Sequence, residues 1–418
     1  MIIVLAGLHV VILFLTAYFV WRVQDVSIRT FFWPAMLVKL TAGILLGLMY
    51  QHYYSGGDTF IFFQDSKQLS NLFRTDLSAY FQFLWDGDDS MAIWTSLSEI
   101  QPRSLFFTKM ISVINVLTFD NYWISGLYLS LISFFSSWYL FRKITELFPD
   151  AKLSAALSIL FFPTVVFWSS GMIKESLAVA SLFFLAGLFL TMISKTKPSP
   201  MEWILFPVCV WVLWMLKYYW AVVFIPAAVT TLLVHRFMPG TTKPFTVQIL
   251  LWLILFVVIC SGTMLVHPNF YPEYFLQVIV DNNVAFGTMS EAQNLIHYDH
   301  LQATWASIIL NSPWALVSGL MRPFLFEGGN AIKILYAIEN LIILILLLSS
   351  VKNFRKPKYS SLRMLVFAVV VYAGVLCVFL ALSTPNFGTL ARYRIGFLPF
   401  LIFILSYRNP LMDKLRLG

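Results

Sequence analysis

Charge is the scarcest commodity in this chain. Only 11% of its 418 residues are Asp, Glu, Lys or Arg, against about a quarter in a soluble domain. Cysteine is nearly absent. Cys209, Cys260 and Cys377 all lie inside apolar runs and form no CxxC pair, which excludes a disulfide framework and a cysteine-based zinc site. Neither a GxxxxGK[ST] phosphate loop nor a GxGxxG fingerprint occurs, so chemistry on bound ATP or NAD is not expected. Apolar–polar alternation is also missing, which argues against a β-barrel. The first apolar run, residues 2–21, has no basic leader and no small-x-small cleavage site. It reads as a retained span, not a signal peptide.

What is present is hydrophobic. The apolar residues make up 59% of the chain and the mean hydropathy is +0.79. Apolar runs of roughly bilayer length recur from end to end. Together they predict an all-α, polytopic transmembrane bundle forming a single integral-membrane domain over residues 1–418. Candidate spans are residues 2–21, 31–50, 122–141, 153–170, 177–194, 203–216, 220–234, 247–266, 334–349, 362–382 and 395–407, about eleven in all. Two further stretches, 104–119 and 305–320, are ambiguous. Aromatic residues, 17% of the total, suit interfacial belts.

Charge asymmetry sets the orientation. With the loop after Tyr50 placed outward and both ambiguous stretches held in the interface, most of the 28 Lys and Arg fall inward. The N-terminus is then outside and the C-terminus cytoplasmic. Asn311-Ser312-Pro313 suggests a break in the second ambiguous stretch, making it a re-entrant candidate. The net charge of +8 therefore reports inward loops and gives no reason to expect nucleic acid. Two large loops face outward, residues 51–121 and 267–333. The first carries amphipathic patterns over 64–73 and 77–84, then an acidic turn at Asp86-Gly87-Asp88-Asp89.

Ionisable groups at a membrane boundary usually line a cavity or pair with each other. Asp58 and Asp65 follow Gly56-Gly57 and are spaced to share one helical face. Either suits a general base toward a hydroxyl or a divalent cation; Asp58 is also a natural N-cap, and metal dependence stays open. Lys174 and Glu175, after Trp168-Ser169-Ser170-Gly171, predict a tight polar turn that could hold a phosphate or simply a snorkelling lysine with a first-turn glutamate. Lys217 begins a second outward turn, Lys217-Tyr218-Tyr219-Trp220, where plain anchoring is the competing role. Arg322 and Glu327 flank Pro323, and Arg392-Tyr393-Arg394 precedes the last span. Arginine forks suit phosphate, although ion pairing and head-group anchoring use the same residues. His297-Tyr298-Asp299-His300 has metal-ligand spacing, but such a stretch is more often just a polar loop.

The Gly57-Asp58 motif at the outer end of an early span, a large first outward loop with amphipathic helices and no jellyroll, and outward basic residues resemble the GT-C class of integral-membrane glycosyltransferases. Among these, the group with RgtA/B/C/D-like domains and related envelope polysaccharide enzymes is most similar. The resemblance implies transfer of a sugar from a polyprenyl-phosphate or polyprenyl-diphosphate donor to a glycan or lipid acceptor, in a bacterial inner membrane. It implies Asp58 as base with Asp65 as second acid, and Lys174, Lys217, Arg322, Arg392 and Arg394 as donor-phosphate ligands, supported by Gly57, Glu175 and Glu327. No nucleotide cofactor is implied; the partners are the lipid-linked sugar, its acceptor and membrane lipids. One departure is that the acidic loop follows the second span here, whereas in that class it usually follows the first. A transporter or flippase using Lys39 and Glu339 inside their spans, and a non-catalytic envelope assembly component, are the other two readings.

Overall fold

The protein is described here by a computed structural model, covering residues 2–54, 57–85, 92–194, 196–238, 244–263, 265–351 and 363–416. It is 83% helical, with no strand among the described residues. The acidic turn at 86–89 lies outside the described residues. Among the described residues eight helices are long and apolar enough to cross a membrane, and a bent pair near the C-terminus raises the number to nine. The chain is therefore a membrane protein with an all-α architecture. It divides into two compact units, the first built from Met1–Leu147, Ile159–Leu188 and Pro198–Tyr218, the second from the remainder.

In the first unit, α1 (Ile2–Arg22) and α2 (Phe32–His52) are spans packed on α6 (Tyr122–Leu147). Between them lie α3 (Asp58–Thr75), α4 (Leu77–Trp85) and α5 (Pro102–Thr118). Both amphipathic patterns of the first loop are thus helices; α4 runs one residue past its pattern, whereas α3 begins six residues before its pattern and ends two after it. Their apolar faces converge on Leu69, Tyr80, Phe83, Leu97 and Leu105. Pro102 opens α5, where its missing N–H has no intrahelical partner to lose. Phe119 ends it in the left-handed region, with φ at 53°. Polar side chains fasten α3 to α5 and α5 to α6. Asn115 donates to Ser66 Oγ at 2.8 Å, and Ser125 donates to Asn115 Oδ1 at 2.7 Å. α7 (Lys174–Ile193) begins in this unit, as does α8 (Pro200–Phe237).

The eleven expected runs become eight or nine helices for three physical reasons. Residues 153–170 do not form one helix: a helical turn gives way to a π-helix, Ala156–Phe161, and the ladder stops at Phe162 before a short helix, Pro163–Trp168. Proline at 163 pushes the preceding residue to extended backbone, and Phe162 has ψ at 120°. Runs 203–216 and 220–234 are two helices joined across a kink at Lys217, and the label α8 covers both arms, 38 residues in all. The last run is the second arm of a pair bent by 70°.

The second unit contains α9 (Phe245–Thr263), α10 (Phe275–Thr288), α11 (Trp305–Met321), α12 (Ala331–Ser350), α13 (Arg363–Ser383), α14 (Phe387–Tyr393) and α15 (Leu398–Ser406). α13 packs against α10, α11 and α15, and α12 against α11 and α15. Side-chain caps start three of these helices: Thr304 on α11, Asn330 on α12 and Asn386 on α14. Pro313 does not break α11, which runs on through it. The hydroxyl of Ser312 donates to Ile308 O at 2.7 Å and the amide of Asn311 to Ser307 O at 2.9 Å, so the neighbours of the proline occupy helix carbonyls themselves.

Candidate functional site

The first unit contains six of the sequence-predicted site residues, Gly57, Asp58, Asp65, Lys174, Glu175 and Lys217. Gly57 enters α3 with φ at 80°, and a Cβ there would lie 3.2 Å from the ring of Tyr50. Only glycine combines that backbone with that contact at low cost. Asp58 follows as the first residue of α3 and is exposed. The N-cap position falls on Gly57, and Asp58 sits in the first turn, where the helix dipole favours an anion.

Asp65 has a different environment on the same helix. It is completely buried, and its two oxygens accept the backbone N–H of Ser98 at 3.0 and 3.1 Å and that of Glu99 at 2.9 Å. The carboxylate thereby fastens the chain leading into α5.

Lys174 lies at the start of α7. Its ammonium donates to Ser104 Oγ at 3.1 Å and stands 4.7 Å from the ring centroid of Phe62. Phe62 is one turn along α3 from Asp58, on the same helical face. Glu175, next in sequence, forms an ion pair with Lys217 at 2.5 Å, and both are buried. Lys217 is therefore an internal partner of α7, placed at the kink between the two arms of α8. Its departure from helical geometry, φ −145° and ψ 59°, occurs where α8 accommodates this contact.

The polar turn before α7 is set deep beside α2. Gly171, φ 73°, donates its N–H to Ser130 Oγ at 2.8 Å. A Cβ on Gly171 would come within 3.0 Å of the carbonyl of Gly43, which is halfway along α2. Lys39, one turn before Gly43, donates to the hydroxyl of Ser169. No carboxylate pairs with Lys39 among the described residues.

The second unit holds the remaining candidates. Arg322 Nε meets Glu327 Oε1 at 2.6 Å, and the other carboxylate oxygen accepts the N–H of Phe324 at 3.1 Å. The guanidinium of Arg322 also lies over Phe387, 4.8 Å from its centroid. Arg392 and Arg394 are both buried. Arg394 donates to Asn340 Oδ1 at 2.6 Å and stands 3.8 Å from Glu339. Glu339 is thus engaged by an arginine of its own unit, as Lys39 is by a serine of the first.

Sequence reasoning missed several contributors. Ser104 and Phe62, which seat Lys174, carry no motif. A groove between residues 297–304 and α11, of about 670 Å³, is lined by His297, Asp299 and His300 together with Asn311 and Trp314. The helix half of this groove was readable as residues repeating every three or four positions along α11. The described residues contain no group of three His, Cys, Asp or Glu placed to share a metal ion. No family model, curated protein or solved structure matches the chain.

Proposed function

We propose that this chain is a membrane glycosyltransferase that moves a sugar from a polyprenyl-phosphate or polyprenyl-diphosphate donor to a glycan or lipid acceptor on the outward face. Asp58 is the general base. One observation carries this reading: of the two acids of the Gly57–Asp65 stretch, Asp65 is completely buried whereas Asp58 is exposed, one helical turn from the residue under the Lys174 ammonium. A base must reach the hydroxyl it deprotonates, and an accessible carboxylate can. The charge that develops on a departing phosphate needs a nearby cation, which Lys174 supplies. Lys217, Arg322 and Arg394 each stand against a carboxylate. In this scheme Lys217 keeps the start of α7, and with it Lys174, in place, while Arg322, Arg392 and Arg394 serve within the second unit.

The proposal keeps eleven spans, with the N-terminus outside, in a bacterial inner membrane. α8 supports two spans in place of one: at about 1.5 Å per residue its 38 residues reach nearly twice the thickness of a bilayer core of about 30 Å, and Lys217 supplies the interruption. Cysteines introduced at positions 88 and 356 should label from opposite sides of the membrane; labelling of both from one side overturns the orientation.

The decisive experiment replaces Asp58 by Asn and, separately, Lys39 by Met, in cells whose surface glycans are profiled. Loss of a glycan with Asp58→Asn alone supports transfer chemistry. Normal glycans with Asp58→Asn, and loss only with Lys39→Met, would instead support a transporter that relies on the buried lysine of α2.

A further inference from the structure

The groove in the second unit has an unusual division of roles. α11 turns one face to the loop at 297–304, and the polar side chains of that face hold the loop by its backbone. Asn311 Nδ2 donates to the carbonyl of Asp299 at 3.3 Å. Trp314 Nε1 donates to that of His297 at 3.1 Å, and Ser307 Oγ to that of His300 at 3.1 Å. The same Ser307 oxygen accepts the N–H of Gln302 at 2.9 Å.

Because the helix holds main-chain atoms, the loop's own side chains are left over. His297, Asp299, His300 and Gln302 make no side-chain hydrogen bond or ion pair among the described residues. All four are exposed and line the one groove. Trp314 is 43% exposed, and its ring is steadied by the Arg322 guanidinium 5.6 Å from the centroid.

We infer that this groove is a saccharide-binding subsite. It presents imidazoles, a carboxylate and an amide, groups that give and accept hydrogen bonds, beside an indole ring with an accessible surface. Hydroxyl-rich rings with one apolar face match that set. No Lys or Arg lines the groove, which disfavours a phosphate, and no three-ligand metal cluster forms there. At about 670 Å³ the groove falls within the usual size of small-molecule sites and admits a short oligosaccharide. On the transferase reading proposed above, on which this assignment of role rests, the ligand is the acceptor glycan.

The test uses the full chain in lipid nanodiscs and saturation-transfer NMR. The probe is the mixture of neutral oligosaccharides released by mild acid from the envelope of the producing cells. The wild type and Asp58→Asn should both transfer saturation to the same oligosaccharide. Affinity should fall about tenfold in Asp299→Ala/Gln302→Ala, the loss of roughly one or two hydrogen bonds. Gln302→Trp, which fills the groove without touching its clamps, should abolish binding at an unchanged melting temperature. Absence of transfer to any oligosaccharide, or binding undiminished in both groove variants, overturns the inference and leaves the transferase reading standing. Binding as expected while Asp58→Asn cells keep normal glycans overturns the transferase reading and leaves the groove a saccharide site.

Discussion

The two long loops, residues 51–121 and 267–333, are held in opposite ways. In the first, a side chain grips main chain: Asp65 is buried and accepts the N–H groups of Ser98 and Glu99. In the second, a helix face grips main-chain carbonyls, and Asp299 is left exposed with its carboxylate unused among the described residues. The difference shows how to sort polar residues in a chain with so few of them. An acid that organises the backbone is fixed in place by that task, whereas an acid on a backbone organised by others is available for a ligand. Glu175, buried against Lys217, belongs with Asp65. Asp58, in the first turn of α3, shares only its exposure with Asp299.

The largest effect expected from this contrast is at the buried pair. Glu175→Ala leaves the Lys217 ammonium buried without its carboxylate and should destabilise the protein by about 3–5 kcal/mol, read as a fall in melting temperature in detergent. Glu175→Leu combined with Lys217→Met should recover most of the loss, since replacing a buried pair by apolar groups is often neutral. Failure of the double variant to recover would show that the pair does more than satisfy itself. Next in size is Asp65→Ala, which strips an acceptor from two backbone N–H groups. A loss of about 3 kcal/mol follows from charged hydrogen bonds worth about 1.5–3 kcal/mol each, with faster proteolysis near residue 98. Asp299→Ala should change stability by less than about 0.5 kcal/mol. Equal effects at the two aspartates would break the contrast.

The smallest effect is at Asp150, a partly exposed acid beside Arg408. Partial burial pushes its carboxyl up, but hydrogen bonds from Arg408 and Tyr407 outweigh this and hold it below its ordinary value of 3.8. A carboxyl depressed in the folded state contributes stability above its unfolded value, and that contribution is lost as the pH falls through the folded value. The stability difference between wild type and Arg408→Met should therefore be constant near neutrality and shrink below about pH 4. It should also shrink in high salt. A difference that persists in acid would exclude the ion pair as its source.

Much of the fold was legible. The apolar runs located the spans, and three-to-four spacing found α3 and α4 to within a few residues at most of their ends. What hydropathy could not register was the course of the backbone hydrogen bonds. A window over residues 153–170 sums to a span although its ladder shifts to π geometry and ends at Phe162; Pro163 was the readable signal. Lys217-Tyr218-Tyr219-Trp220 read as a turn because a lysine inside an apolar helix is costly, and α8 does kink at Lys217; the burial of that lysine was not legible. The offsetting group, Glu175, comes from another segment, and a single sequence does not display such pairings. The same holds for Asp65, whose partners lie at Ser98 and Glu99. The residues proposed for chemistry were legible as types, while their division into engaged and accessible groups was a matter of tertiary contact.

The turn at residues 169–173 bears on how the chain is made. Its peptide groups lie against Gly43 and Ser130, halfway along one span and well within another. In hydrocarbon such groups find no water, so they need protein partners. Both partner helices precede the turn in the sequence and leave the ribosome first. Synthesis order thus supplies a polar berth before the segment that requires it arrives. A circular permutant that makes residues 148–238 ahead of α2 and α6 would have to insert that turn unprotected, and should be cleared by membrane quality control before it folds.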